Sequence, residues 1–155
     1  MLISESLILG VARLWIAGKS GVMPGTCASF AAILLAPFLF MPLGFCGRLL
    51  FLCAILICGV PVATRAEIIL GRKDPPEVVI DELLGQWLTL LPFSALSLTG
   101  YGAAFILFRI FDISKPWPIR RLESLSGGLG VMLDDAAAGL YAAICLALIK
   151  WMGGF

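Results

Sequence analysis

The chain has 155 residues, a net charge of +1 and no histidine, and 61% of it is hydrophobic against only 14% charged. That is enough for one domain, spanning 1–155, but it carries far fewer charges than the ~25% of an ordinary soluble domain, which marks a membrane protein. The balanced charge, with no basic run interleaved with aromatics, excludes a nucleic-acid partner, and the missing histidine excludes zinc–histidine sites, histidine-nucleophile phosphatases and Ser-His-Asp hydrolases.

In chain order, Leu2, Ile3, Leu7, Val11, Leu14 and Trp15 recur at helical spacing. Interrupted by Glu5, Ser6 and Arg13, they predict an amphipathic helix over 1–17, lying on or against a membrane. No basic stretch followed by an apolar run and a small-residue cleavage site opens the chain, so no signal peptide is expected. Gly18 to Thr26 is a glycine-rich loop with Lys19 and two hydroxyls. It offers backbone N–H groups to an anion where a helix begins, and an ordinary helix start with Thr26 as N-cap is an equal alternative.

Apolar runs follow at Cys27 to Phe45 and Leu49 to Ala63, with Pro37, Pro42 and Pro61 marking kinks or ends. Each is at or below the ~20 residues of an upright membrane span. The five cysteines lie in or beside apolar runs with no C-x-x-C pair, and are read as small core residues. After a basic segment from Thr64 to Asp74, Asp74-Pro75-Pro76-Glu77 has the form of a capping box, with Asp74 as N-cap and Glu77 three residues on. The helix predicted from Val78 carries Asp81 and Glu82 one turn inside an otherwise apolar pattern. Beyond Pro92 and a turn near Ser97 to Gly100, a helix from Tyr101 to Ile113 ends with Arg109 and Asp112. A loop with Lys115, Arg120, Arg121 and Glu123 leads to a last helix, Leu129 to Trp151, which opens with Asp134 and Asp135.

An ionised residue deep in a bilayer costs at least ~2.5–3.5 kcal/mol, so Asp81, Glu82, Asp112, Asp134 and Asp135 need a reason to be there. If the apolar runs alternate across a membrane, most cations share one side, including Lys19, Arg65, Arg72, Lys115 and Arg120, while Arg48 and Lys150 fall on the other. The positive-inside tendency makes the first side cytoplasmic, and the acids cluster there. Gly85 follows Asp81 by four residues and Gly139 follows Asp135 by four, so both helices are expected to pack closely at the acid level. Carboxylates without histidine or thiolate fit a hard cation such as Mg²⁺, and neighbouring Lys and Arg fit phosphate. The pairing points to metal-assisted phosphoryl chemistry; cation or proton transport on the same acids, or structural ion pairs such as Arg109 with Asp112, are the alternatives. No C-x₅-R thiolate loop, D-x-D motif or nucleotide P-loop is present.

Four separated segments then carry a resemblance. They are Pro24-Gly25-Thr26, Lys73-Asp74-Pro75 with Val79-Ile80-Asp81-Glu82 and Gly85, Phe108-Arg109-Ile110-Phe111-Asp112 with Lys115-Pro116-Trp117-Pro118-Ile119-Arg120, and Gly127-Gly128-Leu129-Gly130-Val131-Met132-Leu133-Asp134-Asp135 with Gly139. Together they resemble the phosphatidylglycerophosphatase A family of Mg²⁺-dependent membrane lipid phosphatases. The resemblance implies an all-α polytopic bundle of about six helices with one central, in the bacterial inner membrane, multi-pass, with its site facing the cytoplasm. It implies release of the terminal phosphate of phosphatidylglycerophosphate, giving phosphatidylglycerol. Carried over by position, Asp81, Glu82, Asp134 and Asp135 would hold or surround Mg²⁺, with Asp81 and Asp135 central to catalysis. Asp112 would be a ligand or a base orienting water, and Lys115, Arg109, Arg120, Arg121, Lys19 and Thr26 would lie on the phosphate side. One departure is visible: Ala28 stands where the family pattern Gly-Thr-x-Gly-Ser has a second glycine.

Overall fold

The computed structural model describes residues 4–15 and 17–154. Among them are seven helices: α1 (Glu5–Ala12), α2 (Pro24–Leu39), α3 (Phe45–Leu70), α4 (Ile80–Leu90), α5 (Leu98–Ser114), α6 (Ile119–Glu123) and α7 (Gly128–Trp151). A 3₁₀ turn covers Ala17–Lys19, and no strand is present among the described residues. The all-helical expectation holds, with the short α6 as an addition to the expected count. Helix α7 is the hub, packing against α3, α4, α5 and α6.

Among the described residues, only α3, with 26 residues, and α7, with 24, are long and apolar enough to cross a membrane. At 1.5 Å per residue they reach ~39 and ~36 Å, whereas α4 is only ~16 Å long. Helix α3 sends Leu50, Phe51 and Ile57 outward, exposed, as a helix facing hydrocarbon would.

Local chemistry sets the ends. Pro24 occupies the first turn of α2, where its missing N–H costs nothing; Met23 is the N-cap there, so Thr26 lies inside the helix. Gly71, at φ 67°, ends α3 in the left-handed conformation that glycine adopts without penalty. Ser97 caps α5 by accepting the Gly100 N–H, and Pro116 follows close behind the helix's last residue. The start of α7 is fixed from outside, because the Gly128 N–H donates to Thr64 Oγ1 of α3 at 2.8 Å.

Three expectations are corrected. Asp74 and Glu77 do not cap α4, whose N-cap is Val79. Burying Val78, Val79 and Ile80 wins over the local capping signal, and the Val79 N–H is taken by the Ala12 carbonyl at 2.8 Å. Glu77 instead pairs with Arg72, while Asp74 sits at φ 46°. The N-terminal helix is shorter than 1–17 and packs on α3; residues 1–3 and 16 lie outside the described residues. Of the five cysteines, Cys27, Cys46, Cys53 and Cys58 are exposed rather than core, and all are unpaired thiols. Their apolar runs turn those faces outward.

The core forms where small residues admit large ones. Ala28, Ala32 and Ala36 line one face of α2 and are buried, which lets Trp87 of α4 approach closely enough to donate from Nε1 to the Ala32 carbonyl at 2.8 Å. Phe40 stacks on the same indole at 5.1 Å. At the end of the bundle away from the acids, Arg48 donates to the Phe93 carbonyl and Lys150 to the Ala95 carbonyl, tying α3 and α7 to the turn between α4 and α5. Arg48 is 6% exposed. Arg48→Met is expected to lower stability by about 1–3 kcal/mol, since the Phe93 carbonyl is left without its donor; a detergent melting temperature equal to wild type would contradict this.

Candidate functional site

Four helix ends meet at one depth. Helix α4 begins with Asp81 and Glu82 in its first turn, where the positive end of its dipole favours anions. Helix α7 brings Asp134 and Asp135 in its second turn, α5 brings Asp112 in its last turn and Arg109 one turn before it, and α2 begins there with Pro24 and Gly25. Between them lies a cavity of about 220 Å³.

Glycine decides how close these ends come. A Cβ on Gly139 would fall within the Gly85 carbonyl, and one on Gly85 would meet the Phe108 ring and the Asp135 carbonyl. The backbones of α4 and α7 therefore touch one turn below the acids, as the spacing of Asp81 with Gly85 and Asp135 with Gly139 led us to expect. Thr89 ties this crossing, its hydroxyl lying 3.0 Å from the Gly85 carbonyl and 3.3 Å from that of Gly139.

Asp81, Glu82 and Asp135 each offer a carboxylate oxygen, and these oxygens lie within 4.8 Å of one another. Asp81 is 7% exposed and Asp135 4%. Glu82 Oε2 and Asp135 Oδ2 are buried with no hydrogen-bond partner, an expensive condition for an anionic oxygen unless something else binds it. The same local device appears twice: the Glu82 N–H donates to Asp81 Oδ1 at 3.0 Å, and the Asp135 N–H to Asp134 Oδ1 at 2.9 Å. Burial, then the neighbouring Glu82 charge, pushes the Asp81 carboxyl well above its ordinary range. Burial pushes Glu82 up to about 8, outweighing a hydrogen bond from Asp81 that pulls it down and adding to repulsion from Asp135.

Asp134 faces elsewhere. Its Oδ2 accepts from Lys115 Nζ at 2.7 Å, and Lys115 also pairs with Glu123 at 2.9 Å. Burial works against the Lys115 ammonium, but its hydrogen bonds to Asp134 and Glu123 prevail and hold its pKa above the ordinary lysine value. Arg109 Nη1 pairs with Asp112 at 2.8 Å and donates to Ser29 Oγ at 3.3 Å. The i, i+3 ion pair that stood as the structural alternative for these two residues is thus present, and both partners line the cavity.

The donor set is carboxylate oxygen alone, buried, partly unpartnered and converging from two helices. It fits a hard divalent cation, with Asp81, Glu82 and Asp135 as the grouped donors. Asp134, predicted in the same set, is turned to Lys115 instead.

Asp81, Glu82, Asp112, Asp134, Asp135 and Lys115 all line the one cavity, as does Arg109. Lys19, Arg120 and Arg121 are exposed and lie outside its lining; the Arg121 guanidinium rests over the Trp117 ring at 6.0 Å. Thr26 lines a neighbouring cavity. Asp74, read as a cap, lines the acidic cavity. One contributor was not singled out from the sequence: a Cβ on Gly25 would overlap the Glu82 carboxylate, a constraint that only the Pro-Gly start of α2 hints at.

The sequence profile described as Phosphatidylglycerophosphatase A matches residues 10–150. A protein of Bacteroides thetaiotaomicron, provisionally named as a phosphatidylinositol-3-phosphatase, is 38% identical over 88% of this chain and 89% of its own. Phosphatidylglycerophosphatase A of Escherichia coli is 37% identical over 85% of this chain and 77% of its own length. Phosphatidylglycerophosphatase A of Haemophilus influenzae is 41% identical over 83% and 80%. No solved structure gives a significant match.

Proposed function

The chain belongs to the phosphatidylglycerophosphatase A family, and from that premise we propose that it is a Mg²⁺-dependent phosphatase removing the terminal phosphate of phosphatidylglycerophosphate. One observation carries the reading furthest: carboxylates of Asp81, Glu82 and Asp135 converge within 4.8 Å, with two oxygens unpartnered, in a cavity that Lys115 and Arg109 also line.

In this reading Asp81, Glu82 and Asp135 hold Mg²⁺. When bound, the ion supplies Lewis-acid polarisation of the phosphoryl group and a water of lowered pKa. The other roles belong to the chain's own side chains. Lys115, anchored by Asp134 and Glu123, directs its ammonium toward the non-bridging phosphoryl oxygens, where charge develops. Asp112, oriented by Arg109, accepts a hydrogen bond from the attacking water and takes its proton as the new phosphorus–oxygen bond forms; the bond from phosphorus to the glycerol oxygen breaks, and that proton is returned to the departing alkoxide, which leaves as the free hydroxyl of phosphatidylglycerol. Asp134 keeps Lys115 in place. Arg120, Arg121 and Lys19 supply positive charge at the protein surface, raising the local concentration of an anionic lipid.

The family and the two long apolar helices support a place in the bacterial inner membrane. We assign the acid-bearing end to the cytoplasmic face in a multi-pass arrangement, on the asymmetry of Lys and Arg between the two ends.

The test is phosphate release from phosphatidylglycerophosphate in detergent micelles by the purified protein. EDTA is expected to reduce the rate at least about a hundredfold, in line with the several kcal/mol a catalytic metal supplies, and added Mg²⁺ to restore it. No release, together with cation or proton flux in liposomes, would instead favour a transporter built on the same acids.

A further inference from the structure

A second cavity, of about 500 Å³ and almost wholly apolar, opens between α2 and α5 beside the acidic one. Met23 of the turn before α2 and Ile106, Ile110 and Ile113 of α5 form its walls, and all four are more than half exposed. Arg109 belongs to both cavities. The first turn of α2 is likewise shared, since Pro24 and Gly25 line the acidic side and Met23 and Thr26 the apolar one. The boundary is where buried polar atoms lack partners: Arg109 Nε and Thr26 Oγ1 are both inaccessible and unbonded.

We propose that this groove seats the acyl end of the lipid substrate, with the bridging phosphodiester at the Arg109–Thr26 boundary and the terminal phosphomonoester in the acidic cavity. The inference rests on the lipid-phosphatase reading above. A chain running from apolar groove through a cationic and hydroxyl boundary into a carboxylate-lined cavity matches, in order, the hydrocarbon, the phosphodiester and the metal-seeking phosphomonoester of such a lipid. Continuity is the argument: the apolar groove and the acidic cavity meet at one arginine and one helix turn. The exposed isoleucines face the side from which a lipid would arrive within a bilayer. The groove fixes where the ester linkage sits, and so which phosphate reaches the acids.

The experiment fills the groove. Ile106→Trp and Ile110→Trp are expected to raise KM for diacyl phosphatidylglycerophosphate about tenfold while kcat stays within twofold. Ile57→Trp, on the outward face of α3, is expected to change neither. Both groove positions are exposed, so folding is not at risk, and matched melting temperatures check this. A KM unchanged by either groove variant, or raised equally by Ile57→Trp, overturns the proposal. A second measurement does not need turnover: a phosphonate analogue with a diazirine on its acyl chain should label peptides of the α2 start and of α5 around Ile106 to Ile113. Labelling spread evenly over α3 and α5 overturns the groove. Absence of phosphate release by wild type refutes the lipid-phosphatase reading, while the labelling pattern still decides where the acyl chain rests.

Discussion

Asp135→Asn is expected to reduce kcat by roughly 10³-fold, the upper range for losing one preorganised electrostatic group, while the protein stays folded. The substitution is nearly isosteric, and Asp135 is 4% exposed with Oδ2 unpartnered. An amide there removes one of three grouped negative charges and with it a cation donor. Stability should move in the opposite direction to activity. Asp81 and Glu82 both feel the uncompensated charge around them, so neutralising Asp135 relieves repulsion, and the melting temperature in EDTA should equal or exceed that of wild type. The rise in melting temperature on adding Mg²⁺, which reports binding to the folded state, should largely disappear. A variant that keeps both wild-type turnover and the full Mg²⁺-induced rise would remove Asp135 from the site.

Gly139→Ala is expected to be strongly destabilising and to damage the site as well. Its Cβ would meet the Gly85 carbonyl, a backbone atom that cannot rotate away, so α4 and α7 must separate. Overpacking of this kind costs about 3 kcal/mol, or roughly 6–12 °C in a chain of this size. Activity should fall even at temperatures where the variant is folded, because Asp81 and Asp135 sit one turn from the contact on its two sides. The comparison is Gly102→Ala in α5, where nothing lies within 4 Å of the added atom and replacing a helical glycine should stabilise by about 0.5–1 kcal/mol. Equal melting temperatures for Gly139→Ala and wild type would show that the two helices do not need this approach.

The acid convergence was legible because it depends on positions that periodicity fixes. Asp81 and Asp135 open apolar helices, each has a glycine four residues on, and a helix that must cross or pack cannot hide a charge except at its end. What was not legible depends on partners distant in sequence. The Asp-Pro-Pro-Glu segment meets every local criterion for a helix start, yet the chain from Pro75 to Val79 is held by the Ala12 carbonyl and by burial of its valines. Asp74 is thereby released to face the cavity. In the same way Asp134 and Asp135 are adjacent and chemically identical, and only the position of Lys115 after α5 separates their roles. Arg120 and Arg121 follow Lys115 closely in sequence but fall on α6, whose outward face carries them away from the cavity.

The unpaired thiols described above carry a practical corollary. Cys53 and Cys58 lie along α3 on its outer face, where in a bilayer the neighbouring medium would be hydrocarbon, which a water-borne reagent does not enter freely. Cys27 stands close to the acid-bearing end and Cys46 at the start of α3. A water-borne alkylating reagent would therefore sort these sulfurs by depth and not by geometric accessibility, giving the native chain a built-in ruler for its own immersion.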